Sequence, residues 1–305
     1  MSKTCVVVGS INVDFILELL RLPHPNETLM GKSMATAIGG KGLNQAVACA
    51  RSGLSAHMVA AVGDDSFGEQ ALAFLKLRAV DTRHVTTLKR VATGIANILV
   101  AEGGDNMIVV TPGANGKLSS QMVDMSEDLI KQADVLVVQL ETPLDTVKRA
   151  LEIARRNAVL TILNPAPVDL AAKDLFALVD VITPNETELM RLTGIASLDD
   201  VSLTRGLQAL IDLGAERAVV TLGDKGSASL IDGKLVRLPA FGVEAVDATG
   251  AGDVFNGALA TRLVEGDNML EAMRYASAAS ALSVTKLSAD AAPSRSEVMA
   301  FLAVH

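Results

Sequence analysis

The chain has 305 residues, with 27 Lys and Arg against 35 Asp and Glu, and this acidity leaves no basic footprint for nucleic acid or for an anionic membrane. Half of the residues are apolar and mean hydropathy is +0.36, yet no apolar run approaches the roughly 18 residues that a membrane-spanning helix needs. Aromatics are 3% with no Trp, so Ala, Val, Leu and Ile must build the core, which suits buried parallel strands under helices of small residues.

The opening apolar run, residues 5–11, meets Asp14 too soon to be a secretory signal core. Its 5–9 portion reads as a strand, with Asn12 and Asp14 just beyond. Cys5 and Cys49 make neither a CxxC pair nor a disulfide framework, and read as single buried thiols of a cytoplasmic protein. Residues 15–38 alternate apolar with polar and read as short strands around Leu22-Pro23-His24-Pro25-Asn26. Next comes Gly39-Gly40-Lys41-Gly42-Leu43-Asn44, leading into a small-residue helix at 45–51, and then a strand at 56–62. Residues 93–111 read as a hairpin around Glu102-Gly103-Gly104-Asp105-Asn106.

From there strands and helices alternate: strands at 135–140, 159–163, 179–183 and 218–222, helices at 145–157, Glu186–Thr193 and 203–213. A second glycine-rich segment, 247–253, precedes a helix at 254–263. The four histidines, His24, His57, His84 and His305, have no metal-ligand spacing. This alternation predicts an α/β fold with a mainly parallel sheet covered on both faces, and one domain spanning 1–305. The segments at roughly 14–40 and 93–111 are inserted as a small second sheet, a lid or an oligomer contact.

Ligands in open α/β sheets sit beyond the carboxyl ends of the strands. Five runs here finish in polar or glycine residues on that rim: Asn12 and Asp14; Glu141; Asn164; Asn185 and Glu188; Thr221 and Gly223. Any one of them suits a helix cap or a turn, but five together predict a polar site. In Asp247-Ala248-Thr249-Gly250-Ala251-Gly252-Asp253 the backbone N–H groups of Gly250, Ala251 and Gly252 would converge at a helix N-terminus, a ready anion site. Asp253, in the first turn, is placed to take a proton from an alcohol while those amides hold a transferring phosphoryl group. Gly31-Lys32-Ser33 is not a P-loop, because Asn26 stands where its first glycine is required, and Gly250-Ala251-Gly252 is not a dinucleotide fingerprint, because Phe255 takes the third glycine position.

Taken together, these segments resemble the ribokinase (PfkB) family of carbohydrate and nucleoside kinases, from Val6 to about Phe301. The two glycine-rich signatures carry the resemblance, with 9–14, 112–115, 139–141, 164–167 and 184–188 drawing it toward the ribose-phosphorylating members. The resemblance implies a three-layer α/β/α sandwich with a small β-sheet lid. It implies transfer of the γ-phosphoryl group of ATP to the primary hydroxyl of D-ribose, giving D-ribose 5-phosphate. Asp253 is then the general base, and Gly250, Ala251 and Gly252 form the anion hole. Asn12, Asp14, Gly40, Lys41, Asn44 and Glu141 match positions that hold sugar hydroxyls. Asn185 and Glu188 match the motif that organises Mg²⁺ and phosphate through water, and Thr221, Gly223 and Gly226 match the nucleotide loop. The lids of two subunits are expected to clasp in a homodimer.

The family's K⁺ site uses carbonyls beside Asp247 and Thr249 and a second loop carrying Gly-Ala and a Ser before Pro. Here that loop reads Lys286-Leu287-Ser288-Ala289-Asp290-Ala291-Ala292-Pro293, with Ser288 where Gly is expected and the Ser before Pro missing. K⁺ is nevertheless expected as an activator, since Asp247 is intact. Two other readings stand beside the ribose kinase. One is a family kinase for deoxyribose, for a nucleoside such as pseudouridine or adenosine, or for another sugar. The other is a non-catalytic sugar-binding protein on the same fold.

Overall fold

The first apolar run becomes β1, Thr4–Val8, in a computed structural model that describes residues 2–103, 105–286 and 291–305. The elements continue as β2 (Asn12–Leu19), β3 (Ser33–Gly39), α1 (Lys41–Arg51), β4 (Ser55–Gly63), α2 (Ser66–Leu77), β5 (Val80–Leu88), β6 (Gly94–Ala101) and β7 (Asn106–Thr111). They are followed by α3 (Ser120–Asp124), α4 (Glu127–Lys131), β8 (Val135–Val138), α5 (Leu144–Arg156), β9 (Leu160–Leu163), β10 (Val181–Ile182), α6 (Glu186–Thr193), α7 (Asp200–Asp212) and β11 (Arg217–Thr221). The hairpin β12 (Ser227–Ile231) and β13 (Lys234–Leu238) precedes α8 (Ala251–Glu265), α9 (Met269–Ser283) and α10 (Arg295–Leu302).

Nine strands form the main sheet in the order β13-β12-β11-β10-β9-β8-β1-β4-β5. Every pair is parallel except β11–β12 and β12–β13. Its central strands are buried on both faces, which is why they read as unbroken apolar runs. Cys5, Val7, Val135 and Val137 face a core shared with α1, α2, α8, α9 and α10. Val6, Val8, Leu136 and Val138 face the opposite core with α3 to α7. Each such fully buried Val or Leu contributes about 1.5–3 kcal/mol to folding. Cys5 and Cys49 are free and buried as expected, but they meet, with sulfurs 3.4 Å apart. That mutual hydrogen bond, with burial, pushes the Cys5 thiol up.

A second, four-stranded sheet runs β3-β2-β6-β7, with β2 and β6 parallel and both outer pairs antiparallel. These are the two expected insertions, though β2 begins at Asn12, two residues before the expected boundary. The junction between the sheets is tied by Asp65 at the end of β4. Its Oδ1 accepts from the Gly68 amide at 2.8 Å, capping α2, and from the Thr93 hydroxyl at 2.7 Å. Its Oδ2 accepts from the Thr93 amide at 2.8 Å, just before β6. These donors hold its carboxyl below the usual range against the opposing pull of burial.

Several boundaries differ from the sequence reading for local reasons. The helix expected from residue 45 starts at Lys41, because Gly42 packs onto the end of β1: a Cβ there would lie 2.5 Å from the Ser10 nitrogen, so only glycine admits the contact. The helix expected from residue 254 starts at Ala251, after Gly250 turns the chain at φ 76°. The strand expected over 179–183 is paired only at Val181–Ile182. Among the described residues no helix is long and apolar enough to cross a membrane.

Candidate active site

The carboxyl ends of β1, β8, β9, β10 and β11 face one rim, and the N-termini of α1, α6 and α8 converge on it. A pocket of about 160 Å³ opens there, lined by Lys41, Asn164, Thr183, Asn185, Glu188, Thr221, Gly250, Gly252, Asp253 and Asn256. A larger depression of about 440 Å³ lies at the opposite rim, beside Leu160 and Arg217. Arg155 spans it by ion pairs to Asp180 and Glu216, and no glycine-rich loop reaches it. The chemistry lies at the smaller pocket.

Asp253 occupies the first turn of α8 and is 6% exposed. Its Oδ2 accepts a hydrogen bond from Asn44 Nδ2 at 3.0 Å, and its Oδ1 accepts one from Gln45 Nε2 at 2.9 Å. Burial pushes its carboxyl above the usual range, while the Lys41 charge and the two amide donors pull the other way. Lys41 is itself held protonated, because the charges of Asp253, Glu141 and Glu188 outweigh its desolvation. No residue side chain caps α8. The amides of Gly250 and Gly252 have no hydrogen-bond partner among the described residues, and Gly252 faces open space. The Ala251 amide departs from expectation: it donates to Ala248 O at 3.2 Å and closes the preceding turn. The unpartnered donors of the expected anion hole are therefore Gly250 and Gly252.

Glu141 extends from the end of β8 to the start of α1. Its Oε2 accepts from the Ser10 hydroxyl at 2.5 Å and from the Lys41 amide at 3.1 Å. Asn12 is buried at the base of β2, where its Oδ1 accepts from Asn115 Nδ2 at 2.8 Å. Asp14, two residues further along β2, lies over Gly39, and its carboxylate makes no hydrogen bond among the described residues. Burial, together with the charges of Glu141 and Asp253, pushes its carboxyl up to about 6. Gly40 turns the chain into α1 as its N-cap.

Asn185 and Glu188 form a reciprocal cap on α6: Asn185 Oδ1 accepts from the Glu188 amide at 2.9 Å, and Glu188 Oε2 accepts from the Asn185 amide at 2.8 Å. Glu188 is 9% exposed, and burial raises its carboxyl above the usual range. A largely buried carboxylate in a pocket lined with Asn and Thr suits a hydrated hard cation. Among the described residues no three His, Cys, Asp or Glu side chains cluster as a protein-only metal cage. Thr221 reaches the pocket, but Gly223 and Gly226 lie beyond it, in the turn between β11 and β12. Asp247 Oδ1 accepts from the Thr249 amide at 2.8 Å, and Val284 O accepts from the Val246 and Asp247 amides. The altered loop expected to complete a K⁺ site includes residues 287–290, which lie outside the described residues.

The structure also gathers residues that the sequence reading did not place at the site. Gln45 and Gln139 are fully buried beside the pocket, and Thr183 and Asn256 line it. Ser10 and Asn115 hold Glu141 and Asn12.

The pattern of the pfkB family carbohydrate kinases matches residues 2–295. The chain belongs to this family. Ribokinase of Haemophilus influenzae is 42% identical over 303 residues, covering 99% of both chains. Deoxyribokinase of Salmonella typhi is 35% identical over 280 residues, covering 92% of each. The structure of Arabidopsis thaliana ribokinase complexed with ribose and ATP superposes with a TM-score of 0.90 at 32% identity, covering 99% of each chain. A pfkB kinase of this kind is a phosphotransferase, and the expected α/β fold with its separate small sheet is the one these relatives have.

Proposed function

We propose that the chain catalyses ATP-dependent phosphorylation of D-ribose at O5, giving D-ribose 5-phosphate and ADP. One observation carries the reading: a buried carboxylate, Asp253, faces the pocket beside two unpartnered amides at the start of α8. Relatives named for ribose phosphorylation, matched along nearly their whole length, support the choice of sugar.

Asn12, Asp14, Gly40, Lys41, Asn44 and Glu141 bind the sugar. Carboxylates and amides in such number exchange several hydrogen bonds with its hydroxyls. Asp253 accepts the proton of the 5-hydroxyl as O5 bonds to the γ-phosphorus and the bond to the ADP oxygen breaks. Gly250 and Gly252 donate to the charge that spreads over the transferring oxygens, with Ala251 completing the turn between them. Lys41, ringed by carboxylates, keeps the pocket from repelling the triphosphate. Thr221, Gly223, Gly226 and Asn185 bind the nucleotide. Asn185 and Glu188 would hold a hydrated Mg²⁺, which neutralises the β- and γ-phosphates when bound. Asp247 and Thr249 would hold K⁺ at the edge of the anion loop.

The lid closes over the sugar and pairs with the lid of a second copy. Met107, Ile108, Val109 and Val110 in β7 and Met34 in β3 are exposed, an apolar surface suited to such a partner. The second reading, a deoxyribose kinase, is favoured by the relatives from Salmonella typhi and Salmonella typhimurium that are named for that activity. An ADP-release assay over pentoses, hexoses and nucleosides, with and without K⁺, separates them. Ribose is expected to turn over fastest, and a 2-deoxy sugar to lose roughly 1–3 kcal/mol from a polar partner left unpaired. Equal turnover of ribose and 2-deoxyribose would overturn the assignment.

A further inference from the structure

Asp253 is held from below by a chain of uncharged amides. Gln45 Nε2, which donates to Asp253 Oδ1, belongs to a side chain with no exposed surface. Gln45 Oε1 accepts in turn from Gln139 Nε2 at 2.5 Å. Gln139 is also fully buried, and its Oε1, without a partner, packs against Gly9. On its other side Gln45 Nε2 reaches Asn164 Oδ1 at 3.3 Å, and Asn164 Nδ2 donates to Thr183 O at 3.2 Å. The Thr183 hydroxyl donates to Asn256 Oδ1 at 2.5 Å, and Asn256 Nδ2 donates to Gly252 O at 2.8 Å. The chain thus returns to α8 one residue before Asp253.

Chemistry fixes its direction. A carboxylate only accepts, so Gln45 must turn its NH₂ toward Asp253. Its carbonyl is then left to Gln139, which must donate. The two carboxylate oxygens are held differently: Oδ1 by the fully buried Gln45, and Oδ2 by Asn44, which lies on the sugar side of the site. Losing Gln45 would free the carboxylate to rotate and leave its inner oxygen bare.

We propose that Gln45, locked by Gln139, is a positioning residue that commits Oδ1 of Asp253 to the interior and aims Oδ2 at the acceptor hydroxyl. This rests on Asp253 being the base for the kinase reaction proposed above. The charged groups facing Asp253 are Lys41 on α1, Glu141 after β8, Glu188 on α6 and Asp14 on β2. Lys41 favours the ionised carboxylate and the three acids oppose it, and all four persist when Gln45 is replaced.

The test is Gln45→Met, similar in size but without a donor, assayed for kcat and KM for ribose across pH, alone and combined with Asp253→Asn. We expect kcat to fall at least about tenfold with KM for ribose within about threefold of wild type. The acid limb of kcat should move to higher pH, because a donor that favours the ionised form is gone. In the Asp253→Asn background the same change should cost less than about twofold, since Gln45 acts through that carboxylate. Gln139→Leu should shift kcat and the acid limb in the same directions by about threefold, and it carries the test if Gln45→Met does not fold. A folded variant with kcat within about twofold of wild type and an unmoved limb would overturn the proposal, as would an equal loss when Asp253 is already Asn. A wild-type chain inactive on ribose but active on another acceptor would overturn the choice of sugar instead, and the same comparison on that acceptor decides the role of Gln45.

Discussion

The two sheets of this molecule are built from similar apolar stretches and put to opposite uses. In the main sheet β1 and β8 are buried on both faces, and side chains reach the site only from strand ends and the helices beyond them. In the lid, β7 is exposed along its whole length and β3 along most of it. One sheet is enclosed by helices, and its strand ends, with the helix starts beyond them, hold the charged groups of the site. The other brings Asn12 and Asp14 of β2 to the edge of the site and leaves apolar surface exposed. Burial on both faces suits a sheet that must hold reacting groups still, whereas a sheet with one free face suits the closure and pairing proposed above.

The comparison can be broken at its strongest point first. Asp253→Asn, on the rigid side, should bind ribose with KM little changed and lose at least about 10²-fold in kcat, the low end for a missing general base. Near-normal turnover in a steady-state assay would remove Asp253 from the chemistry. At the junction, Asp65→Ala removes the α2 cap and both bonds to Thr93, and should cost about 2 kcal/mol in a denaturant melt while raising KM for ribose more than it lowers kcat. If kcat alone suffers, the junction serves the main sheet and not the lid.

Asp14 tests the lid's electrostatic debt to the main sheet. Its carboxyl sits at about 6, above its unfolded value, so the folded protein favours the protonated form. The stability this lends is complete below the unfolded value and is lost as pH rises through about 6. Asp14→Asn should therefore raise the thermal midpoint at pH 8, by an effect on the order of 1–2 kcal/mol once solvent screening is counted, and leave it unchanged at about pH 3, below the unfolded value. Sugar affinity in the wild type should weaken as pH falls through about 6, a dependence absent in the variant. Ile108→Asp is the mildest change: folding stability should stay within about 0.5 kcal/mol, while sedimentation shifts from dimer to monomer. An unchanged sedimentation coefficient would take the lid out of any pairing between copies.

The parts of the fold that could be read from the residues were those where burial leaves an unbroken apolar run, as in Val135–Val138. β5 was not read, because an edge strand carrying Asp81, Arg83 and His84 lacks that pattern. The β12–β13 hairpin was missed for the opposite reason, since Ser227, Ala228 and Ser229 are small, buried residues with little hydrophobic signal. At the site, the glycine signatures and terminal carboxylates were legible because turns and helix starts demand particular residue types. Gln45 and Asn256 were not, because a buried amide differs from a solvated one only by its partner. The partners of Gln45 are Gln139, Asn164 and Asp253, which lie 94, 119 and 208 residues away in the chain. The Ala251 amide was misassigned because three consecutive N–H groups do not all point outward when the first turn of the helix closes on Ala248.

The pairing inside the lid has a consequence for how the chain acquires its structure. β2 and β6 lie side by side and parallel, in a register that joins Asn12 to Gly94. Between them the chain builds α1, β4, α2 and β5, so the lid's central ladder closes a loop that contains part of the main sheet. Such a ladder is slow to form, because long-range parallel pairing gives up loop entropy before it gains contacts. The lid is therefore no cassette to be excised or grafted as one contiguous segment. Its β2–β6 ladder joins residues far apart in the chain, whereas β6 and β7 form a hairpin, so in refolding experiments probes on the β6–β7 hairpin should report order before those on the β2–β6 pair.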